Sequence, residues 1–152
     1  MILGIDPGAS GALVALDRQG EPIEWMRMPV MKEGSATRVN GLAVAEFIRS
    51  LPSDSVRAYV EAVHSMPKQG VASCFNFGHS AGVIAGVLAA LEIPTVMVTP
   101  QRWKKRANLI GTNKDAARSK AIIRWPKWRD LDKIGAGQAY ADAAFIAVYG
   151  ED

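Results

Sequence analysis

MILGIDPGASGAL, residues 1–13, is the stretch that decides the fold. Met1 to Ile5 is a short apolar run, and Pro7, Gly8, Ser10 and Gly11 follow at once. A run of that length predicts a buried strand, and the Pro/Gly/Ser cluster predicts a turn. A second apolar run, Ala12 to Leu16, comes straight after, so the pair predicts a hairpin. Between the two stands a single acid, Asp6, at the end of what should be a central strand. A carboxylate in such a place is costly unless something cationic offsets it. A metal ion, or a metal carried by a phosphate group, is the compensator that chemistry most readily offers.

Working outward, a third strand is expected near Ile23–Met28 and a polar loop from Met31 to Arg38. Val39 to Leu51 has apolar residues at helical spacing and stops before Pro52. Val56–Val63 predicts a strand, His64–Gly70 a loop, Ala72–Leu91 a long helix and Thr95–Val98 a short strand. Pro100 opens a basic helix with Thr99 as its cap, and Asn113 is placed to cap a helix over Lys114–Arg124. Ala139–Tyr149 predicts a terminal helix. The plan is α/β: three antiparallel strands, then two strands that can pair in parallel on the far side of the first, giving a five-stranded mixed sheet flanked by helices.

Composition limits the classes of protein this can be. The chain has 152 residues, enough for one domain, 1–152, with a real core. Its single cysteine, Cys74, excludes an intrachain disulfide and a Cys-based zinc site, and fits a reducing cytoplasm. No basic stretch precedes an apolar one at the N-terminus, so no signal peptide is expected. The apolar tract Ala81–Leu91 is too short to span a bilayer. Charge is unevenly spread: 11 of the 18 Lys/Arg but only three of the 15 acids lie between Gln101 and Lys133. That segment carries +8 and the remainder −5. Such asymmetry points to a polyanionic partner, against the plainer reading of a solvated helical face.

Two further acids stand in surroundings like those of Asp6. Glu61 interrupts the run Tyr59–Val63, on the strand expected beside the first. Asp142 stands alone in the alanine-rich segment Ala141–Ala147. Each has an ordinary alternative: a turn former, an edge-strand charge, a solvent-facing helix residue. Brought together, the three would repel one another unless cations lay between them. Hard oxygen donors favour Mg²⁺ or Mn²⁺, and two such ions can clamp the attacking and leaving oxygens of a phosphodiester.

Taken in order, these segments resemble the RuvC family of Holliday junction resolvases, of the RNase H-like/retroviral integrase superfamily, and in particular its bacteriophage RuvC-like type. The resemblance rests on Gly4-Ile5-Asp6-Pro7-Gly8 with Ser10-Gly11-Ala12, on Val60-Glu61-Ala62-Val63, and on His64–Gly70 with Ser73 and Phe77-Gly78. Val98-Thr99-Pro100, Trp103-Lys104-Lys105 and Ala141–Ala147 complete it. It implies an RNase H-like fold, a homodimer, no nucleotide cofactor, and action in a bacterial cytoplasm on four-way or branched DNA. Asp6, Glu61 and Asp142 would be the metal-binding catalytic carboxylates, holding two Mg²⁺ ions, with Mn²⁺ able to substitute. One position departs from the pattern. The family carries an acid or a histidine three or four residues before the last carboxylate, where this chain has Ala139 and Gln138. Gln138 offers a carbonyl oxygen without charge, and Asp132 is a remote substitute.

The family also places an aromatic wedge just after the second carboxylate. Here that position is His64, with Met66 and Lys68 close by, suited to stacking on bases and contacting phosphate. Lys104, Lys105, Lys114, Arg118 and Lys120 are the expected phosphate contacts. Trp103 and Trp125 suit the core better than a DNA surface. Gly78, Gly82 and Gly86 form a small-residue stripe that either packs on the sheet or makes the dimer contact. Rival readings are an actin-like sugar kinase, which needs a second such domain, a junction-binding protein without catalysis, and a nuclease with broader taste for flaps and forks.

Overall fold

The N-terminal apolar run forms β1 (Ile2–Asp6), the central strand of a five-stranded sheet in the computed structural model, which describes residues 1–52, 55–62 and 70–150. The hairpin follows as expected: β2 (Ala12–Leu16) pairs antiparallel with β1, and β3 (Pro22–Arg27) pairs antiparallel with β2. On the other side, β6 (Arg57–Glu61) lies parallel to β1, and β7 (Thr95–Val98) parallel to β6. The spatial order is β3-β2-β1-β6-β7.

The sheet is covered on both faces, and strand alternation decides what each face packs against. Leu3, Ile5, Leu13, Ala15, Ala58 and Val60 point to one side, where α1 (Gly41–Ser50) and α2 (Val71–Ala90) close a core through Val44, Ile48, Ile84 and Leu88. Ala12, Val14, Leu16 and Tyr59 point to the other, where α5 (Ala136–Gly150) lies across the sheet. α3 (Pro100–Arg106), α4 (Ala116–Arg124) and a 3₁₀ turn (Arg129–Asp132) pack around α5. The backbones of β1 and α5 touch at Gly4, where a Cβ would fall 1.9 Å from the Ala143 carbonyl oxygen. Alanines at 141, 143, 144 and 147, all buried, let α5 come that close.

Several expected boundaries move, for identifiable reasons. The Met31–Arg38 loop is instead a hairpin, β4 (Val30–Glu33) and β5 (Ala36–Val39). Its turn is made by Gly34 at φ +58°, and its strands are tied by cross-strand polar pairs, Lys32 with Thr37 at 2.8 Å and Arg38 with Glu33 at 3.1 Å. Because all of β4 is exposed, no apolar alternation announces it. Val39 consequently belongs to β5, and α1 starts at Gly41, capped by Asn40, whose side chain accepts from the Ala43 N–H. Thr99 caps α3 as expected. Asn113 does not cap α4: its side chain accepts from Asp115 N–H in a turn, and Asp115 takes the cap position. Trp103 and Trp125 are core residues, 1% and 2% exposed.

α2 forms where the helix Ala72–Leu91 is expected, shifted by one residue, and departs from expectation in how much of it is exposed. It is 20 residues long and, by length and composition alone, apolar enough to cross a membrane, so Ala81–Leu91 understated it. Only Ser80, Ile84 and Leu88 along it are buried. Gly78, Gly82 and Gly86 do not pack on the sheet: a Cβ at any of them would meet nothing within 4 Å. Val71 and Phe75 extend the exposed surface, at 87% and 62% exposure.

Candidate functional site

Alternation along the strands also fixes where the acids go. Asp6 shares its face with Ile2 and Gly4, and Glu61 shares its face with Arg57 and Tyr59, by the period of two along a strand. Both therefore lie on the α5 side. The parallel register pairs Gly4 with Tyr59 and Ile5 with Val60, so Asp6 and Glu61 come next, side by side at the carboxyl ends of adjacent strands. Asp142 faces them from α5. The carboxyl edge of parallel strands is the ordinary place for a ligand site in an α/β sheet.

Each carboxylate has its own donor. Asp6 Oδ1 accepts from the Gly8 N–H at 3.1 Å, within the turn that the Pro/Gly cluster makes. Gly11 closes that turn so tightly that a Cβ there would lie 2.2 Å from the Asp6 carbonyl oxygen and 2.7 Å from its carboxyl carbon. Arg27 holds the turn from outside, donating to the Ser10 and Gly11 carbonyls at 2.9 and 3.3 Å. Glu61 Oε1 accepts from the buried Trp103 indole N–H at 2.8 Å. Asp142 Oδ1 accepts from the Gln138 amide at 3.0 Å, one helical turn back on α5.

The electrostatics are those of anions gathered in a poorly solvated place. Burial raises all three carboxyls above their ordinary values, Asp142 to about 6. For Asp6 the Gly8 hydrogen bond opposes this, as do Lys104 and Arg27. For Glu61 the Trp103 hydrogen bond opposes burial, while Asp6 and Asp142 reinforce it. For Asp142 the Gln138 hydrogen bond opposes burial and Asp6 reinforces it. Lys104 lowers all three, so its ammonium is the cation they share. Among the described residues, no three Asp, Glu, His or Cys side chains close round a single point tightly enough to hold an ion. The acids are close enough to feel one another's charge but turned toward separate donors, as mutually repelling anions arrange themselves.

The donors suit a hard divalent cation. Three carboxylates supply charged oxygens, and Gln138 Oε1 is a buried carbonyl oxygen with no hydrogen-bond partner. Among the described residues only His79 Nδ1 and Trp128 Nε1 share that condition, and neither belongs to this constellation. Ala139 is buried and brings no ligand, and Asp132 pairs with the exposed Arg129 at 2.8 Å and does not line the cavity beside Asp142.

The other expected site residues fall into three groups. Lys104 and Lys114 line a cavity of about 280 Å³ with Thr112, Asn113, Gln138 and Asp142, beside the acids. Lys105 is exposed on α3. Arg118 and Lys120 are engaged within the protein. Arg118 makes a bidentate pair with Asp115 at 2.7 and 2.9 Å and donates to the Leu131 carbonyl, and Lys120 donates to the Ala107 carbonyl. His64, Met66 and Lys68 lie outside the described residues. Trp103 is the residue that sequence reasoning placed in the core without giving it a role at the site. Nothing in the sequence tells a buried indole with a carboxylate partner from one without.

No family model and no curated protein matches this sequence. Solved structures do match. RuvC from T. thermophilus in complex with Holliday junction substrate superposes with a TM-score of 0.64 at 14% identity, covering 97% of this chain and 90% of the other. A second T. thermophilus RuvC structure gives a TM-score of 0.57 at 16% identity, covering 97% and 91%. Likeness over nearly the full length of both proteins shows that this chain has a RuvC-like fold.

Proposed function

We propose that the chain is a metal-dependent, structure-selective DNA endonuclease that resolves four-way junctions by nicking opposed strands. The observation that carries this is the meeting of Asp6, Glu61 and Asp142, from β1, β6 and α5, at the carboxyl edge of the parallel strands in a RuvC-like fold. The same three residues would hold Mg²⁺ or Mn²⁺. When bound, such a cation offsets charge on the phosphodiester and its leaving oxygen and makes water a better nucleophile.

The chain's own residues set the conditions for that chemistry. Gly8 N–H, Trp103 N–H and the Gln138 amide fix one oxygen of each carboxylate and leave the other free to ligate. Trp103 is buried beneath Glu61 and keeps its rotamer fixed. Lys104, held over the Trp103 ring with its ammonium 5.2 Å from the centroid, brings positive charge to a phosphate entering beside the acids. Lys114, across the same cavity, suits the next phosphate along the strand. Lys105 adds to this basic edge. Arg118 and Lys120 serve the fold instead, tying α4 to its surroundings.

The substrate needs two symmetric cuts, and a two-fold dimer supplies them. α2 offers the surface: a long, apolar, mostly exposed helix whose glycines leave room for a second backbone. We read its hydropathy as a protein contact and not a membrane span, because Ile84 and Leu88 on its opposite side are core residues and Arg38 of β5 reaches Asn76 along it.

The test is cleavage of a labelled synthetic four-way junction in Mg²⁺ or Mn²⁺, beside forks, flaps and linear duplex. Paired nicks in the junction that vanish in Asp6→Asn support the reading. Nicking that survives Asp6→Asn overturns the catalytic assignment. Binding without nicking in either metal makes the chain a junction-binding protein, and equal cutting of flaps and forks makes it a general branched-DNA nuclease.

A further inference from the structure

The basic segment from Gln101 to Lys133 is not fully used by the acids or by the fold. Lys104 and Lys114 lie beside Asp142, while Arg118, Lys120, Arg129 and Lys133 are engaged by neighbours within the chain. Arg124 and Lys127 are exposed, and among the described residues neither forms an ion pair. Both line one groove, a cavity of about 530 Å³ between the C-terminal end of α4 and the start of β3. Pro22 and Pro126 give it apolar walls, with Trp25, Trp125 and Trp128 beside them. The groove is preformed, because its indoles are fixed. Trp25 Nε1 donates to Asp130 at 2.9 Å, Trp125 Nε1 donates to the Gly20 carbonyl at 3.0 Å, and the Trp25 and Trp128 rings pack 4.8 Å apart. Strand register sets it at the far end of the sheet from the acids. Pro22 pairs with Leu16 and Leu16 with Ile2, whereas Asp6 ends β1, about 13 Å further on by the rise of a strand.

We propose that this groove docks a short acidic peptide of a partner protein, with one apolar side chain seated between the prolines and tryptophans and neighbouring carboxylates on Arg124 and Lys127. Charge chooses the occupant. The two unpaired cations offer charge-assisted hydrogen bonds to carboxylates on one wall, and Glu21 on the other wall confines negative charge to that side. A nucleic-acid strand fits poorly. Asp17, Glu21 and Glu24 gather around the β2–β3 turn and repel a continuous polyanion. Trp125 and Trp128, 2% and 5% exposed, present no open ring face on which a base could stack. Because the groove and the acids lie at opposite ends of the sheet, a docked peptide leaves the acids open to DNA. The proposal does not depend on the metal-dependent reading above.

The experiment selects short random peptides displayed on phage against the immobilised full chain, then measures the enriched ones by fluorescence anisotropy. Enriched peptides are expected to join an aromatic residue or leucine to aspartates or glutamates. They should bind about tenfold more weakly to the Arg124→Glu/Lys127→Glu double variant, which loses two exposed charge pairs and adds repulsion. They should bind more tightly to Glu21→Lys, a gain that misfolding cannot imitate. Circular dichroism checks that each variant folds as the natural chain does. No enrichment, enriched peptides without acids, or an affinity that neither variant moves overturns the proposal. Binding lost in Lys104→Ala and kept in the double variant overturns it too, since the peptide then imitates DNA beside the acids. Single-stranded oligothymidine that displaces the peptide, and whose own binding fails in the double variant, makes the groove a nucleic-acid contact and overturns the peptide assignment.

Discussion

Replacing Asp142 by Asn in the ion-free protein should make it more stable near neutral pH, contrary to the usual effect of changing a functional side chain. Burial is the main cause that lifts the Asp142 carboxyl from 3.8 to about 6, so the folded chain holds its charge reluctantly. An acid with a raised folded pKa contributes stability that is fully present below its unfolded pKa. That contribution is lost as pH rises through the folded value. The window for Asp142 therefore runs from about pH 4 to about pH 6. A shift of that size corresponds to at most about 3 kcal/mol, at roughly 1.4 kcal/mol per pKa unit. Asn keeps the shape, and its carbonyl oxygen still accepts from the Gln138 amide, so the charge alone is removed. The assay is urea unfolding in chelator at pH 7.5 and at pH 5. At pH 7.5 Asp142→Asn should be more stable by about 1–3 kcal/mol, and at pH 5 about half of that difference should be gone. The natural chain should also gain stability between pH 7.5 and 5, because Asp6 and Glu61 are shifted in the same direction. Asp115 and Asp130, held below the ordinary range by Arg118 and by Lys133 with Trp25, lose their contribution only at more acid pH and leave this window clear. Adding Mg²⁺ or Mn²⁺ at pH 7.5 should reverse the order, since only the natural chain would gain from binding the ion. Equal or lower stability of Asp142→Asn in chelator at pH 7.5 would refute the argument that burial makes the Asp142 charge costly.

Other expectations follow from single contacts. Trp103→Phe removes the N–H that steadies Glu61, so the Glu61 carboxyl should rise further and the acidic limb of the nicking pH profile should move to higher pH; an unmoved limb would deny Trp103 that part. Gly11→Ala drives a methyl into the Asp6 backbone and should cost about 1–3 kcal/mol or more in a denaturant melt, together with junction cleavage; full stability would mean that the turn can open at no cost. Gly82→Glu puts a bulky charge where the chain itself meets nothing, so sedimentation should show monomers with unchanged circular dichroism; a persisting dimer would move the interface away from α2. Lys104→Ala and Lys114→Ala should each lower the slope of log binding constant against log salt by about one, and Lys120→Ala should leave it unchanged; a loss at Lys120 equal to that at Lys104 would contradict the assignment of Lys120 to the fold.

Much of the architecture is legible in the chain because it depends on short-range rules. Apolar runs bounded by Pro and Gly gave the five main strands, and the lone acids within them stood out because a carboxylate has no business in a core strand. The β4–β5 hairpin escaped because it buries nothing on β4 and so leaves no periodic trace. The start of α4 escaped because Asn113 and Asp115 are equally good caps by residue type, and only the path of the backbone chooses between them.

By itself, then, the sequence determined the β1–β2 hairpin, the mixed sheet and the three acids Asp6, Glu61 and Asp142, since periodicity and burial cost act residue by residue. The tertiary structure decided who meets whom. It set Asp6 beside Glu61 through the parallel register of β1 and β6, and it brought α5 against Gly4 so that Asp142 could face them. It put Trp103 on Glu61 across 42 positions of chain. It also spent Arg118 and Lys120 on neighbours while leaving Lys104 within reach of all three acids. A charge's partner depends on distance in space, and no pattern along a chain records that distance until the chain has folded.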